Sequence, residues 1–110
     1  MKHLYTLIGF IVGFSAMTGS ALAQDAAAAE ALARKSGCLK CHGIDKKKDG
    51  PALKEISGKY KGKGDAEQKL TTHVTTSPKV KIDDKEEDHE QLKSKDPGEI
   101  KNVVKWILSL

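Results

Sequence analysis

The stretch Cys38-Leu39-Lys40-Cys41-His42 holds the most reactive side chains of this 110-residue sequence, including both of its cysteines. Two thiols two residues apart, followed at once by an imidazole, form the C-x-x-C-H attachment pattern for c-type haem. Each thiol can close a thioether onto a haem vinyl group, and the adjacent imidazole then lies under the iron as its proximal ligand. The same cysteines could instead work as a C-x-x-C thiol redox pair. A zinc site normally wants four close ligands, and the chain has no second cysteine pair. His42 directly after Cys41, together with the signs of export below, favours haem.

Something must present these residues in the right compartment and the right geometry. Lys2 and His3 make a short basic start, Leu4 to Phe14 is an apolar run broken by Thr6, Gly9 and Gly13, and Ala21-Leu22-Ala23 is an A-x-A cleavage signal. This is the pattern of a secretory leader. The apolar run is short against the roughly 20 residues that span a bilayer, so the leader, residues 1–23, is expected to be removed between Ala23 and Gln24. The periplasm is the expected location, with no permanent membrane anchor. The working domain is then residues 24–110, a single small unit that gains from an apolar cofactor at its centre. It carries 18 Lys and Arg against 15 Asp and Glu, a net charge of +3. The charges are segregated: Lys40, Lys46 to Lys48, Lys54, Lys59, Lys61 and Lys63 make the first half basic, whereas Asp83 to Glu90 is acidic. Such a layout can orient a protein toward a charged partner.

The sequence reads as helices joined by turns. Asp25 can cap a helix over Ala26 to Lys35, with Arg34 and Lys35 suiting the dipole of its last turn and Gly37 ending it. Asp49-Gly50-Pro51 is a turn. Leu53 to Tyr60 reads as a short helix. Asp65 is placed to cap another from Ala66 to about Thr75, with Leu70 and Val74 on one face. Val80 to Asp96 shows little apolar periodicity and reads as a long loop, the kind that usually carries function. Asp96 and Pro97 then start a last helix, whose Ile100, Val103, Val104, Ile107 and Leu108 recur at threes and fours. With no repeats and no sustained β alternation, the expected fold is all-α.

These pieces together resemble a class I cytochrome c of the small bacterial monohaem type, over almost all of Asp25 to Leu110. The resemblance is carried by Ser36-Gly37-Cys38-Leu39-Lys40-Cys41-His42-Gly43, by Asp49-Gly50-Pro51-Ala52-Leu53, by Lys59-Tyr60 and by Val104-Lys105-Trp106-Ile107-Leu108-Ser109. It implies three to five helices wrapped around one haem c bound through Cys38 and Cys41. It implies that the Pro51 carbonyl accepts a bond from the His42 ring, and that Trp106 packs where the first and last helices cross, against Ala33 or Gly37. It also implies that His73 stands where relatives often place a basic residue near a haem propionate; a plain surface histidine is the alternative.

One departure bears on the iron. The family generally uses methionine as the sixth ligand, in the loop before the last helix. Here the two methionines are Met1 and Met17, both in the leader. His89 stands 17 residues before Trp106, at about the family's methionine position, and is the expected substitute, which would make the site bis-histidine. His73 is the second candidate. Lysines in the same region could bind only when deprotonated, against an ordinary pKa of about 10.4. Asp88 and Glu90 beside His89 favour its protonated form, which cannot bind iron. The expected function is a single-electron shuttle, not an enzyme, that docks briefly with redox proteins through an acidic surface on the partner, works as a monomer and binds no nucleic acid. An open or labile sixth position that binds small ligands or reacts with peroxide is the alternative.

Overall fold

The computed structural model describes Gly13 and residues 25–110. The leader and its cut after Ala23 lie outside the described residues. The helices expected from periodicity are present: α1 (Ala26–Lys35), α3 (Leu53–Tyr60), α4 (Ala66–Thr75) and α5 (Pro97–Ser109), with a further single turn, α2 (Cys38–Cys41), formed by the haem-attachment motif itself. The segment read as a long loop is different. It contains an antiparallel hairpin of β1 (Lys79–Ile82) and β2 (Lys85–Asp88), paired from Lys79 opposite Asp88 to Ile82 opposite Lys85.

Capping residues fix the helix ends. The Asp25 carboxylate accepts from the Ala28 amide at 3.0 Å, and that of Asp96 from the Gly98 amide at 2.9 Å, with Pro97 following. Gly37 takes φ of +80° just after α1, a conformation that glycine adopts without steric cost. Asp65 does not cap α4: its carboxylate turns to the Lys69 ammonium, 3.0 Å away. That exposed ion pair replaces the amide contact expected from the sequence.

The core is built on α5. Ile100, Val103, Val104, Trp106 and Ile107 are buried, and they meet Ala29 and Ala33 of α1, Leu53 of α3, and Leu70 and Val74 of α4 in one cluster. Ala29 and Ala33 are almost wholly buried, and side chains this small let α1 and α5 approach closely. Trp106 sits in this cluster with Ala33, while Gly37 borders the cavity described below. Two polar ties lock the arrangement. Asn102 on α5 both accepts from the Asp25 amide and donates to the Asp25 carbonyl, each at 2.9 Å. The fully buried Ser57 hydroxyl of α3 donates to the Leu108 carbonyl at 2.9 Å, satisfying one of the acceptors that every helix end leaves open.

Candidate functional site

α2 and the loop after it hold Cys38, Cys41 and His42 in place. The His42 amide donates to the Cys38 carbonyl at 2.9 Å, and the Gly50 amide donates to the Cys41 carbonyl at 2.8 Å. Lys48 donates from its ammonium to the Leu39 carbonyl at 2.8 Å, closing the loop over the motif. Leu53 and Lys54, entering α3, donate to the carbonyls of Gly43 and Ile44. Both cysteines are free thiols, half-buried. Burial, aided by Cys41 and Glu90, pushes the Cys38 thiol up from its ordinary value.

The His42 ring donates from Nδ1 to the Pro51 carbonyl at 2.7 Å, the bond expected from the resemblance. That bond fixes the tautomer and leaves Nε2 as the lone-pair nitrogen. Gly50 makes the approach possible. A Cβ there would lie 2.6 Å from Cε1 and 2.9 Å from Nδ1 of His42, so the constraint is space for the ring.

Cys38, Cys41 and His42 open onto a cavity of about 470 Å³, walled also by Ile56 and Tyr60 of α3 and Leu70 of α4. The hairpin covers part of it, through Val80 and Ile82. These two residues were missed as site residues. Their signal was the alternation in Lys79-Val80-Lys81-Ile82, which is only four residues long.

His73 and His89 line the same cavity. The structure brings His73, from the last turn of α4, and His89, just after β2, into one pair: their ring centres are 4.1 Å apart, tilted by 55°. His89 in turn stands 6.1 Å, centre to centre, from His42. It is held from several sides. Its amide donates to the Pro78 carbonyl at 2.9 Å, extending the base of the hairpin, and three residues on the Leu92 amide donates to the Val74 carbonyl of α4 at 2.9 Å. Beyond that, the Lys93 amide donates to the Ser36 hydroxyl at 2.8 Å.

The electrostatics of His89 reverse the expectation drawn from its acidic neighbours. Burial, followed by the proximity of His42, holds its ring below the ordinary imidazole range, and Glu90 opposes this without overcoming it. Burial also lowers His73, with His89 and His42 adding to the effect. The neutral form, which keeps a lone pair for a metal, is therefore favoured at both.

A cytochrome c family model matches residues 26–110. The chain is similar to the class 1 cytochrome MtoD from Sideroxydans lithotrophicus ES-1, whose crystal structure superposes with a TM-score of 0.74 at 53% identity, covering 79% of this chain and 97% of that one. It is also 42% identical over 59 residues to cytochrome c-551 from Pseudomonas aeruginosa, and 40% identical over 63 residues to cytochrome c-551 from Allochromatium vinosum. These matches cover 52% and 57% of this chain, and span 57% and 64% of those two relatives.

Proposed function

This chain belongs to the cytochrome c family, which carries a covalently bound haem c, and we propose that it is a single-electron carrier with bis-histidine iron ligation. The site suits the group. Two unpaired thiols and a tautomer-fixed imidazole border a largely apolar-walled cavity, and a second imidazole lines it with its ring centre 6.1 Å from the first. Bound there, haem supplies an iron that cycles between ferric and ferrous states. The protein's part is to hold it. Cys38 and Cys41 would anchor the macrocycle, and His42, its ring fixed by Pro51, and His89 would ligate the iron.

The separation of His42 and His89 carries this reading. Metal–imidazole bonds of about 2.0–2.1 Å, with ring centres roughly 1 Å behind the nitrogens, put two imidazoles on opposite sides of one metal about 6 Å apart. The observed distance is 6.1 Å. Residues 25–110 contain no methionine, so the thioether that raises the potential in His/Met cytochromes has no source there. Two strong ligands leave no coordination position for substrate, which suits electron transfer.

The working form on this reading is residues 24–110, exported to the periplasm after loss of the leader. It would meet redox proteins at weak, brief contacts of small area, steered by the exposed lysines of the first half toward an acidic surface on the partner. Absorption spectra of the holoprotein test the ligation. The wild type should show low-spin bands, and His89→Ala should show high-spin bands that shift with carbon monoxide or cyanide. A low-spin, unaltered His89→Ala spectrum would place the ligand elsewhere, with His73→Ala the next variant to record. The mass of the exported protein tests the rest: it should equal the chain from Gln24 plus one haem.

A further inference from the structure

The two imidazoles of His42 and His89, which line the cavity 6.1 Å apart, are supported differently. His42 Nδ1 donates to the Pro51 carbonyl, and a partner of this kind is nearly universal for a metal-bound histidine, because it orients the ring and raises its basicity. His89 Nδ1 is buried and has no hydrogen-bond partner. Since that nitrogen is shut away while the ring borders the cavity, the opposite edge, with Nε2, is the one offered to the iron. A neutral imidazole that ligates through Nε2 carries its proton on Nδ1, and a buried donor needs an acceptor. The Glu90 carbonyl is near enough to act on the ring. That contact falls short of a well-formed hydrogen bond, and Nδ1 is left without a partner. His73 stands beside the same ring. Its ring centre is 4.1 Å from that of His89, and a tilt of 55° points to an edge contact more than to a stack. It stands on α4, whose end is tied to the His89 segment through Val74 and Leu92.

We propose that His73 is a positioning residue for the distal ligand, accepting the Nδ1–H of His89 so that the Nε2 lone pair is held on the iron. The proton stays on His89 and is shared, and a small rotation of either ring closes the bond. This rests on His89 being the distal ligand. Its consequence is an imidazole of raised basicity, which favours ferric iron and resists displacement.

The test uses the holoprotein and four variants. His73→Phe keeps a ring and removes the acceptor, His73→Gln restores an acceptor, and His73→Ala and His89→Ala serve as references. With His73→Phe the spectrum should stay low-spin. Cyanide or added imidazole should displace His89 about 10–100-fold more readily. A tenfold loss confined to the ferric state raises the potential by about 59 mV. His73→Gln should recover most of both effects. In the diamagnetic ferrous wild type, the Nδ1 proton of His89 should exchange slowly and show scalar coupling to a nitrogen of His73, a measurement that needs no variant to fold. Wild-type potential and ligand displacement in His73→Phe and His73→Ala, or a His89 proton without coupling to His73, overturns the proposal. High-spin iron in His73→Phe that matches His89→Ala also overturns it, by making His73 a ligand. An unaltered spectrum in His89→Ala removes the ligation reading itself, which separates the two failures.

Discussion

At the scale of single residues, the His42 ring is held by the Pro51 carbonyl, at 2.7 Å, and by the space that Gly50 leaves for it. The haem motif was legible because the cofactor dictates its spacing, and the Pro51 contact was expected only through the resemblance to class I cytochromes c. Beside His89, Asp88 and Glu90 suggested an imidazolium, yet burial and His42 favour the neutral ring. Which groups surround a side chain is a tertiary fact, and the pairing of His89 with His73 was hidden for the same reason: they lie 16 residues apart on different elements. Gly50 offers a sharp test. Gly50→Ala would place a methyl group against the His42 ring, and neither the ring nor the closed loop can yield cheaply. The holoprotein should lose about 1–3 kcal/mol of stability, as overpacking costs, with a perturbed spectrum from the displaced proximal ring; thermal melting and absorption check both. At Asp65 the Lys69 ammonium, first through its hydrogen bond, holds the carboxyl below the usual range. A lowered acid stabilises the fold above its unfolded-state pKa and loses that contribution as pH falls through the folded value. In Lys69→Met the Asp65 carboxyl should titrate higher by NMR, while the melting temperature at neutral pH barely moves, because exposed pairs contribute little.

At the scale of elements, periodicity located four helices because each spans two turns or more and buries one face. It missed α2 because four residues hold no period. It missed the hairpin because β2 is Lys85-Glu86-Glu87-Asp88, wholly exposed and without an apolar residue, and because its turn lacks the usual signal. A two-residue hairpin turn of this hand favours Asn-Gly or Asp-Gly. Here Asp83 and Asp84 occupy the left-handed region, with φ of +49° and +64°, and the strands are helped by an opposite charge pair, Lys79 with Asp88, at 2.8 Å. The left-handed conformation costs an ordinary residue about 1–2 kcal/mol. The double substitution Asp83→Asn with Asp84→Gly, which installs the favoured Asn-Gly turn, should therefore raise stability by up to about 1 kcal/mol, visible as a melting temperature higher by a few degrees. On the other side of the core, Ser57→Ala should cost about 1–2 kcal/mol, because it removes the buried hydroxyl that satisfies the part-buried Leu108 carbonyl near the end of α5; chemical denaturation measures it, with an unchanged haem spectrum as control.

For the whole molecule, the question is how charge and cavity meet. The basic residues are exposed at Lys40, Lys46, Lys47, Lys54, Lys59, Lys61 and Lys63, and the acidic ones are exposed along the hairpin. Segregation was legible in the sequence, but the place of the acidic segment was not: the hairpin that carries it borders the cavity, so Glu87, Asp88 and Glu90 stand at the same opening as Lys59 and Lys69. A partner reaching that opening would meet both signs, so on the proposed docking the steering charge would come from lysines clear of the rim. Lys46 and Lys47 qualify, being exposed, outside the cavity lining, and free of the backbone bond that occupies Lys48. Steering acts on encounter more than on the bound state, and exposed charges are screened beyond about 10 Å at 0.1 M salt. Reversing both, as Lys46→Glu with Lys47→Glu, should slow association with an acidic redox partner by about tenfold or more at low ionic strength, with the wild-type and variant rates converging as salt approaches 1 M. Stopped-flow electron transfer across a salt series measures this. Equal rates for the two proteins at low salt would show that these lysines only keep the surface hydrated, and that docking is governed by the mixed charges around the cavity itself.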